Sequence, residues 1–222
     1  MKGVCIIIQE RAEDVGEGEY ALKCLVVVAH PDDETIWMGG LILRHPEVEY
    51  EVLALSRADD TDRAPRFYRA LEALGAKGSM SDLDDSPQLL TLSPELTEIK
   101  NRIARFTSRE YDMIFTHGKK GEYTRHLRHE QVHTAIIEMV ESGELVGEQF
   151  CFAYDDDQGR RIPEPANSAM ILVKLSQDEI TEKRRIIKEI YGFSEDSFEY
   201  KSAGPVEAFQ GCASSFQRFD VM

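Results

Sequence analysis

Two clusters of histidines and acidic residues are the chemically reactive features of this sequence. The first is the run His30-Pro31-Asp32-Asp33-Glu34. Its histidine and its second aspartate stand three positions apart on a tight turn, so both can bind one metal ion. Asp32 points elsewhere and is free to act as a base. The alternative interpretation is a strand-to-helix turn in which the aspartates cap the helix.

The second cluster lies in the segment GKKGEYTRHLRHEQVH, directly after His117. It contains His126, His129 and His133, three and four positions apart. On a helix this spacing places all three side chains on one face. A solvated polar face at a helix start is the alternative. Because three imidazole or carboxylate ligands with one open position form the pattern of a catalytic zinc site, the two clusters together favour a metal site.

Each cluster follows an apolar run that is typical of a buried parallel strand. The run LKCLVVVA (22–29) leads into His30, and YDMIFTH (111–117) ends at His117. Continuous β-branched runs of this kind indicate strands that are buried on both faces. Ligands of open α/β sheets collect at the carboxyl ends of the strands. Both clusters are therefore predicted at the same edge of one sheet.

Strands and helices alternate along the rest of the chain. Further strands are predicted at 4–8, 50–56, 149–155 and 169–175, and helices at 35–45, 65–74, 93–109, 128–142 and 178–191. Such alternation predicts an α/β fold with a mostly parallel sheet and right-handed crossovers. We interpret residues 1–222 as one domain with a less regular C-terminal part after about residue 150.

Composition narrows the class of protein. Among 222 residues, 42% are hydrophobic and 30% are charged, which is an ordinary globular balance. The net charge of −15 disfavours nucleic acid and anionic membranes as partners, although it can also serve solubility alone. The start MKGVCIIIQE is too short for a signal or membrane-spanning segment, so we expect a cytoplasmic protein.

The sequence lacks several motifs of other enzyme classes. Its cysteines, Cys5, Cys24, Cys151 and Cys212, form no CxxC pair, so we expect neither a cysteine zinc site nor a disulfide framework. No GxGxxG, P-loop lysine or GxSxG elbow is present. Dinucleotide binding and serine-hydrolase chemistry are therefore unsupported.

The two clusters resemble the motifs of a known family. AHPDDE at 29–34, after a hydrophobic strand, is similar to the signature of the LmbE-like proteins, also called the PIG-L or GlcNAc-phosphatidylinositol de-N-acetylase family. GEYTRHLRHEQVH (121–133) resembles the second family motif, usually GEYGHPDH followed by a further histidine. The resemblance spans about residues 22–135, with a weaker echo in EAF (207–209). It implies a Rossmann-like fold with helices on both faces of the sheet, and a zinc-dependent deacetylase of N-acetylglucosamine-type substrates or a related amidase.

The resemblance also implies a role for each matching residue. Three residues match ligands of a single Zn²⁺ or other divalent ion: His30, Asp33 and His129. Asp32 matches the general base, and His126 matches the histidine that polarises the carbonyl or stabilises the oxyanion. Arg63 falls where the family often places a substrate-contacting arginine, although Arg66 stands where the family has a glutamate.

The second motif departs from the family pattern. Leu127-Arg128 replaces Pro-Asp within HPDH. In relatives that aspartate orients and charges the neighbouring histidine, so we expect Arg128 to leave His126 less basic. Another carboxylate, such as Glu130, could take over this role.

We therefore predict a zinc-dependent hydrolase that removes an acyl group, foremost N-acetyl, from an amino sugar or related amide. The metal activates water, Asp32 accepts its proton, and His126 shares the developing charge. A non-catalytic metal- or sugar-binding protein is the alternative, which Arg128 favours and the intact Asp32 opposes. A phosphoesterase ranks last, because only one compact ligand set is visible. The expected partner is a small molecule, and relatives often assemble into homo-oligomers.

Overall fold

The apolar run LKCLVVVA forms the strand at the centre of the sheet. The computed structural model describes residues 21–85, 96–124 and 126–212. The strand predicted at 4–8 and the start of the helix predicted from residue 93 lie outside the described residues. The strands in the described ranges are β1 (Lys23–Val28), β2 (Glu49–Ala54), β3 (Lys77–Met80), β4 (Glu110–Thr116), β5 (Val146–Phe152), β6 (Tyr154–Asp155), β7 (Glu164–Pro165), β8 (Ile171–Lys174) and β9 (Val206–Gly211).

Seven of these strands form one sheet in the order β3-β2-β1-β4-β5-β9-β8. The pairs β1–β2, β1–β4, β2–β3 and β4–β5 are parallel. Strand β9 pairs antiparallel with both β5 and β8, and β6 with β7 forms a separate two-stranded ribbon. The predicted mostly parallel sheet is confirmed.

Helices cover both faces of this sheet. They are α1 (Asp33–Arg44), α2 (Arg63–Leu74), α3 (Leu96–Phe106), α4 (Leu127–Glu141), α5 (Gln177–Arg185), which continues into a π-helical turn (Ile186–Ile190), and α6 (Phe198–Ser202). Val26 of β1 belongs to the buried cluster that contains Trp37 of α1, whereas its neighbour Val27 belongs to the cluster that contains Val132 of α4. Successive side chains of a strand point to opposite faces, so each face of β1 has its own core. No helix in the described ranges is long and apolar enough to cross a membrane.

Several elements, among them β3, β9 and α6, have no clear signal in the sequence. Strand β3 reads KGSM and lies at one edge of the sheet, where neither apolar continuity nor alternation marks it. Strand β9 reads VEAFQG and includes the buried Glu207. Helix α6 is only five residues long. Each owes its conformation to tertiary contacts rather than to a local pattern.

The described residues contain one disulfide, although the cysteine spacing predicts no disulfide framework. Cys151 of β5 is bonded to Cys212, which directly follows β9. Their separation of 61 positions gives no local signal. The antiparallel pairing of β5 with β9 brings the two residues together. Cys24 is buried and not part of this disulfide, and Cys5 lies outside the described residues.

A buried ion pair holds α1 against the C-terminal part of the sheet. Glu207 of β9 accepts hydrogen bonds from the Gly40 and Leu41 amides at 2.8 and 2.7 Å, in the middle of α1. Lys183 of α5 donates to the same carboxylate at 2.8 Å, and both charged side chains are at most 1% exposed. The Tyr154 hydroxyl adds a bond to the Trp37 carbonyl at 3.0 Å. These contacts fix the position of the helix that begins at Asp33.

Candidate active site

The two predicted clusters meet at the carboxyl edge of the parallel strands. His30 lies just after β1, and Asp33 is the first residue of α1. His117 directly follows β4, and His129 lies in the first turn of α4. Because β1 and β4 are parallel neighbours, their ends bring these four side chains together. The predicted common location of the two clusters is confirmed.

Three donor atoms in this cluster have the spacing of metal ligands. His30 Nδ1 lies 3.2 Å from Asp33 Oδ2, and His129 Nε2 lies 3.4 Å from the same oxygen. The two histidine nitrogens are 3.3 Å apart. Ligands about 2.0–2.1 Å from a tetrahedral zinc ion lie about 3.3 Å from one another. These three side chains therefore fit three corners of one zinc site, and their role as ligands stays a prediction.

Each of the two histidines has a carboxylate on its far nitrogen. His129 Nδ1 donates to Glu122 Oε2 at 2.6 Å, and His30 Nε2 donates to Asp85 Oδ2 at 2.7 Å. With a metal ion bound, these bonds would hold the protons on the outer nitrogens and leave the inner nitrogens available as ligands. Metal-binding histidines characteristically have such a carboxylate partner, which fixes the tautomer and the ring orientation.

Asp33 is held by bonds from its own turn. The Trp37 indole donates to its Oδ1 at 3.0 Å, and the His30 amide donates to its Oδ2 at 2.9 Å. The side chain is almost fully buried. Its oxygens therefore have a fixed direction before any metal binds.

His117 packs against the cluster and holds its neighbours in place. Its Nε2 accepts a hydrogen bond from the Ala29 amide at 2.9 Å, and its Nδ1 donates to Glu122 Oε2 at 2.8 Å. Both nitrogens are thus engaged, and the ring stacks on that of His129 with 3.7 Å between centroids. Burial by itself raises the pKa of the Glu122 carboxyl, but His117 and His129 outweigh it and lower the pKa to about 2. Glu122 thus remains an anion that orients both rings.

Asp32 has an unusual backbone conformation. Its φ is 139°, a region that residues with a side chain rarely adopt and that costs about 1–3 kcal/mol. Its amide donates to Glu34 Oε2 at 3.0 Å. Although Asp32 occupies the N-cap position of α1, its side chain makes no capping hydrogen bond, so the interpretation of Asp32 as a helix cap is wrong.

The Asp32 carboxylate is instead paired with Arg63 across the cleft. Arg63 NH1 donates to Asp32 Oδ2 at 3.1 Å, and its guanidinium lies 4.7 Å from the centre of the Phe193 ring. Burial, followed by the charge of Asp33, raises the pKa of Asp32 well above its usual range, against the opposing charges of His30 and Arg63. Arg63 lies in the site, as the sequence predicts, and its contact with substrate stays a prediction.

Arg66 fastens the C-terminal part of the chain to α2. Its NH1 donates to the Tyr191 carbonyl at 2.8 Å, and its NH2 donates to Asp62 at 2.8 Å. Arg66, which stands where the family pattern has a glutamate, therefore has a structural role in this chain.

His126 lies against the cluster at the N-cap of α4. Its ring centroid is 4.8 Å from that of His30 and 4.4 Å from that of His129. Burial, together with the charges of His129 and His30, lowers the pKa of His126 to about 3, while the charges of Asp33 and Asp85 oppose the change. The expected loss of basicity is present, but its causes are burial and the neighbouring imidazoles. The carboxylates whose charges act on His126 are Asp33 and Asp85, and the role expected for Glu130 stays a prediction.

His133 does not join the other histidines. Its Nδ1 donates to the His117 carbonyl at 2.9 Å and lies 3.4 Å from Cys151 Sγ. One turn of α4 separates it from His129, and it faces β5 instead of the cleft. The prediction that all three histidines share one face is therefore wrong for His133. His126 and His129 lie at the cluster, whereas His133 lies against β5.

A cleft of about 200 Å³ opens onto the cluster. Its walls include Asp32, Arg63 and His126, together with the aromatic rings of Tyr123, Phe193 and Phe198.

Three supporting residues were not identified from the sequence: Glu122, Asp85 and Tyr191. Glu122 lies in the quoted GEY motif and could have been found there, whereas Asp85 and Tyr191 have no motif and reach the site only through tertiary contacts.

The fold and the site define an α/β protein with a buried histidine–carboxylate centre at the carboxyl edge of its sheet. Residues 25–140, just over half of the chain, match the GlcNAc-PI de-N-acetylase (PIG-L) family, and the chain belongs to this family. A viral relative is uncharacterized protein L374 of Acanthamoeba polyphaga mimivirus. It is 21% identical over 197 residues, which cover 81% of this chain and 80% of that protein.

Solved structures share the fold at low identity. The conserved protein TT1542 of Thermus thermophilus is 18% identical with a TM-score of 0.58, and the match covers 85% of this chain and 93% of that one. The N,N'-diacetylchitobiose deacetylase of Pyrococcus horikoshii is 17% identical with a TM-score of 0.52 and coverages of 83% and 72%. GalB, the 4-carboxy-2-hydroxymuconate hydratase of Pseudomonas putida KT2440, is 18% identical with a TM-score of 0.56 and coverages of 82% and 82%. Since this fold hosts both a deacetylase and a hydratase, the activity has to be argued from the site.

Proposed function

We propose that this protein is a zinc-dependent deacetylase that removes an N-acyl group, foremost N-acetyl, from an amino sugar or related amide. The observation that carries the proposal is the set of three donor atoms, His30 Nδ1, Asp33 Oδ2 and His129 Nε2, at 3.2–3.4 Å from one another. Membership of the GlcNAc-PI de-N-acetylase family supports the reaction class. The structural likeness to a diacetylchitobiose deacetylase is consistent with it.

The donor set suits one zinc ion. His30, Asp33 and His129 would hold it, and the two outer carboxylates, Glu122 and Asp85, would keep both rings oriented. A bound zinc ion supplies Lewis-acid chemistry that lowers the pKa of a coordinated water toward neutrality.

Asp32 is the proposed general base. Its carboxylate lies beside Asp33 but is not part of the donor triad, and Arg63 fixes the direction of one of its oxygens. From there it can accept the proton of the attacking water and return it to the leaving amine, which a positioned carboxylate does effectively. The products are a carboxylate and a free amine.

His126 is the proposed donor to the carbonyl oxygen. Its Nδ1 is buried and has no hydrogen-bond partner among the described residues. A neutral imidazole can donate one N–H bond to the oxygen on which negative charge develops, where a fixed donor contributes most. Arg63 and the aromatic walls of the cleft would contact the rest of the substrate.

The test is amine release by the zinc-loaded protein from a panel of N-acetylated amino sugars and their conjugates. We expect free amine and acetate in equal amounts, and strongly reduced turnover by an Asp32→Asn variant that retains its zinc. A zinc-loaded protein that releases no amine but adds water to a carbon–carbon double bond would instead support the hydratase chemistry found on this fold. Zinc binding without either reaction would support the non-catalytic alternative.

A further inference from the structure

Arg128, the main departure from the family's second motif, is one of the largest fully buried side chains in the described chain. Only 1% of it is exposed. Its guanidinium is directed at the segment 81–85, which follows β3. A buried guanidinium is stable only where charged and polar partners replace its water.

The guanidinium holds the end of this segment at two points. Arg128 Nε lies 3.4 Å from Asp85 Oδ1, and NH2 donates to the Asp84 carbonyl. One contact fixes the carboxylate of Asp85, and the other fixes the peptide that precedes it. NH1 donates to Gln131 Oε1 at 2.7 Å, which orients the guanidinium on α4.

The other carboxylate oxygen of Asp85 reaches the metal-binding cluster. Asp85 Oδ2 accepts from His30 Nε2 at 2.7 Å, on the side of the ring away from Asp33. Arg128, Asp85 and His30 therefore form a continuous line of charge-assisted contacts from α4 to the end of β1. Bonds of this type are shorter and stronger than neutral ones.

The beginning of the segment is fastened independently. Arg102 of α3 donates to Ser81 Oγ at 2.8 Å and pairs with Asp82 at 2.5 Å. Segment 81–85 is thus held by one arginine at each end. The Arg128 end is the one that carries a residue in contact with a proposed metal ligand.

We propose that Asp85 is the outer carboxylate that orients His30 for metal binding, and that Arg128 is the positioning residue that holds Asp85 in place. The inference rests on the proposed function in one respect, the role of His30 as a ligand. The arginine that replaces the family aspartate then supports the metal centre from a different direction.

The test is the zinc dissociation constant of the folded protein, measured by competition with a chromophoric chelator. Loss of an outer partner of a metal-binding histidine typically weakens metal binding by about 10–100-fold. We expect a loss in that range for Asp85→Asn and a similar loss for Arg128→Met. The double variant should lose no more than the weaker-binding single variant, because both substitutions act through the same His30 contact. Asp59→Asn and Arg160→Met, which replace exposed side chains, are the matched controls and should bind zinc like the wild type.

Several outcomes would overturn the inference. Wild-type affinity in folded Asp85→Asn would remove Asp85 from the centre, and additive losses in the double variant would show that Arg128 acts elsewhere. If Arg128→Met does not fold, Arg128→Lys keeps the charge, and Asp85→Asn alone still decides the role of Asp85. The Co²⁺ absorption spectrum gives a second readout, since a misoriented His30 alters its intensity. If His30 is not a metal ligand, His30→Ala will bind zinc like the wild type. This result distinguishes a wrong ligand set from a wrong role for Asp85 and Arg128.

Discussion

The hydroxyl of Tyr191 donates a hydrogen bond to Glu34 Oε1 at 2.7 Å and so links the C-terminal part of the chain to the first motif. The other oxygen of Glu34 accepts from the Asp32 amide. Tyr191 follows the π-helical turn, and its own amide donates to the Ile186 carbonyl five residues earlier. π-Helical turns are rare and occur frequently at functional sites. Here the turn places a phenol where it stabilises the strained backbone of Asp32.

Tyr191→Phe should destabilise the protein and impair the proposed base. Removing a hydrogen bond to a charged group costs about 1.5–3 kcal/mol, and the remaining Glu34 carboxylate then has one donor fewer. We expect a loss of that size in the free energy of unfolding by urea, together with a lower kcat and unchanged zinc content. Tyr68→Phe removes an exposed phenol and is the control. An unchanged unfolding free energy for Tyr191→Phe would contradict this account.

His129→Ala should abolish stoichiometric zinc binding, because it removes one of three donors and leaves Glu122 with the His117 ring alone. Metal analysis of the purified variant checks this expectation. His133→Ala is the matched control, since it removes a histidine of the same helix that faces β5, and it should retain zinc. Full occupancy in His129→Ala would exclude His129 from the ligand set.

Asp32→Asn should lower turnover by roughly 10²–10⁴-fold, which is the usual contribution of a positioned base. An asparagine keeps the shape and can still contact Arg63, but it cannot accept a proton. Zinc content should stay near the wild-type value, whereas Asp33→Asn should lose the metal. Near-wild-type turnover by Asp32→Asn would mean that another group is the base.

Glu207→Gln should strongly destabilise the fold. It leaves the buried Lys183 without a charged partner, and breaking a buried pair on one side costs about 3–5 kcal/mol. Glu195→Gln breaks the exposed pair with Lys188 and should change the free energy of unfolding by less than about 1 kcal/mol. Addition of Lys183→Met to Glu207→Gln should restore part of the loss. Equal effects of the two glutamine substitutions would show that Lys183 is not buried as described.

The pair between Arg44 and Glu179 predicts a stabilisation that depends on pH. The hydrogen bond from Arg44 lowers the pKa of the Glu179 carboxyl to about 2. A depressed pKa in the folded state contributes stability that is present above the unfolded value near 4.3 and is lost as the pH falls toward 2. The difference in unfolding free energy between wild type and Glu179→Gln should therefore shrink between about pH 5 and pH 2. A constant difference over this window would show that the charge of Glu179 is not the source of the stabilisation.

The sequence predicts the centre of the fold better than its edges. Strand β1 is a continuous apolar run because both of its faces are buried, and Gly75 marks the end of α2 because it adopts a φ of 73°. Strand β3 has no such pattern because neighbouring strands and helices, rather than its own side chains, determine its conformation. The bond between Cys151 and Cys212 depends on sheet topology and is invisible in their spacing.

The same distinction applies to the site. His30, Asp33 and His129 belong to motifs and could be chosen from residue type and spacing. Asp85 lies in an acidic run with neighbours of the same type, so only the contact with His30 distinguishes it. The cytoplasmic location and a homo-oligomeric state stay predictions.

The hydrogen bonds between Glu207 and the middle of α1 limit how far the chain could be truncated, or its motif-bearing part moved into another protein, without loss of the site. Every proposed metal ligand lies within the portion that matches the family, residues 25–140. Yet the helix that starts at Asp33 is anchored by residue 207, and the backbone of Asp32 is supported through residue 191. The motif-bearing half is therefore not a module. A chimera that exchanged it alone would carry all the ligands and lose the scaffold that aligns them, so the two halves of this chain have to be exchanged, or diverge, together.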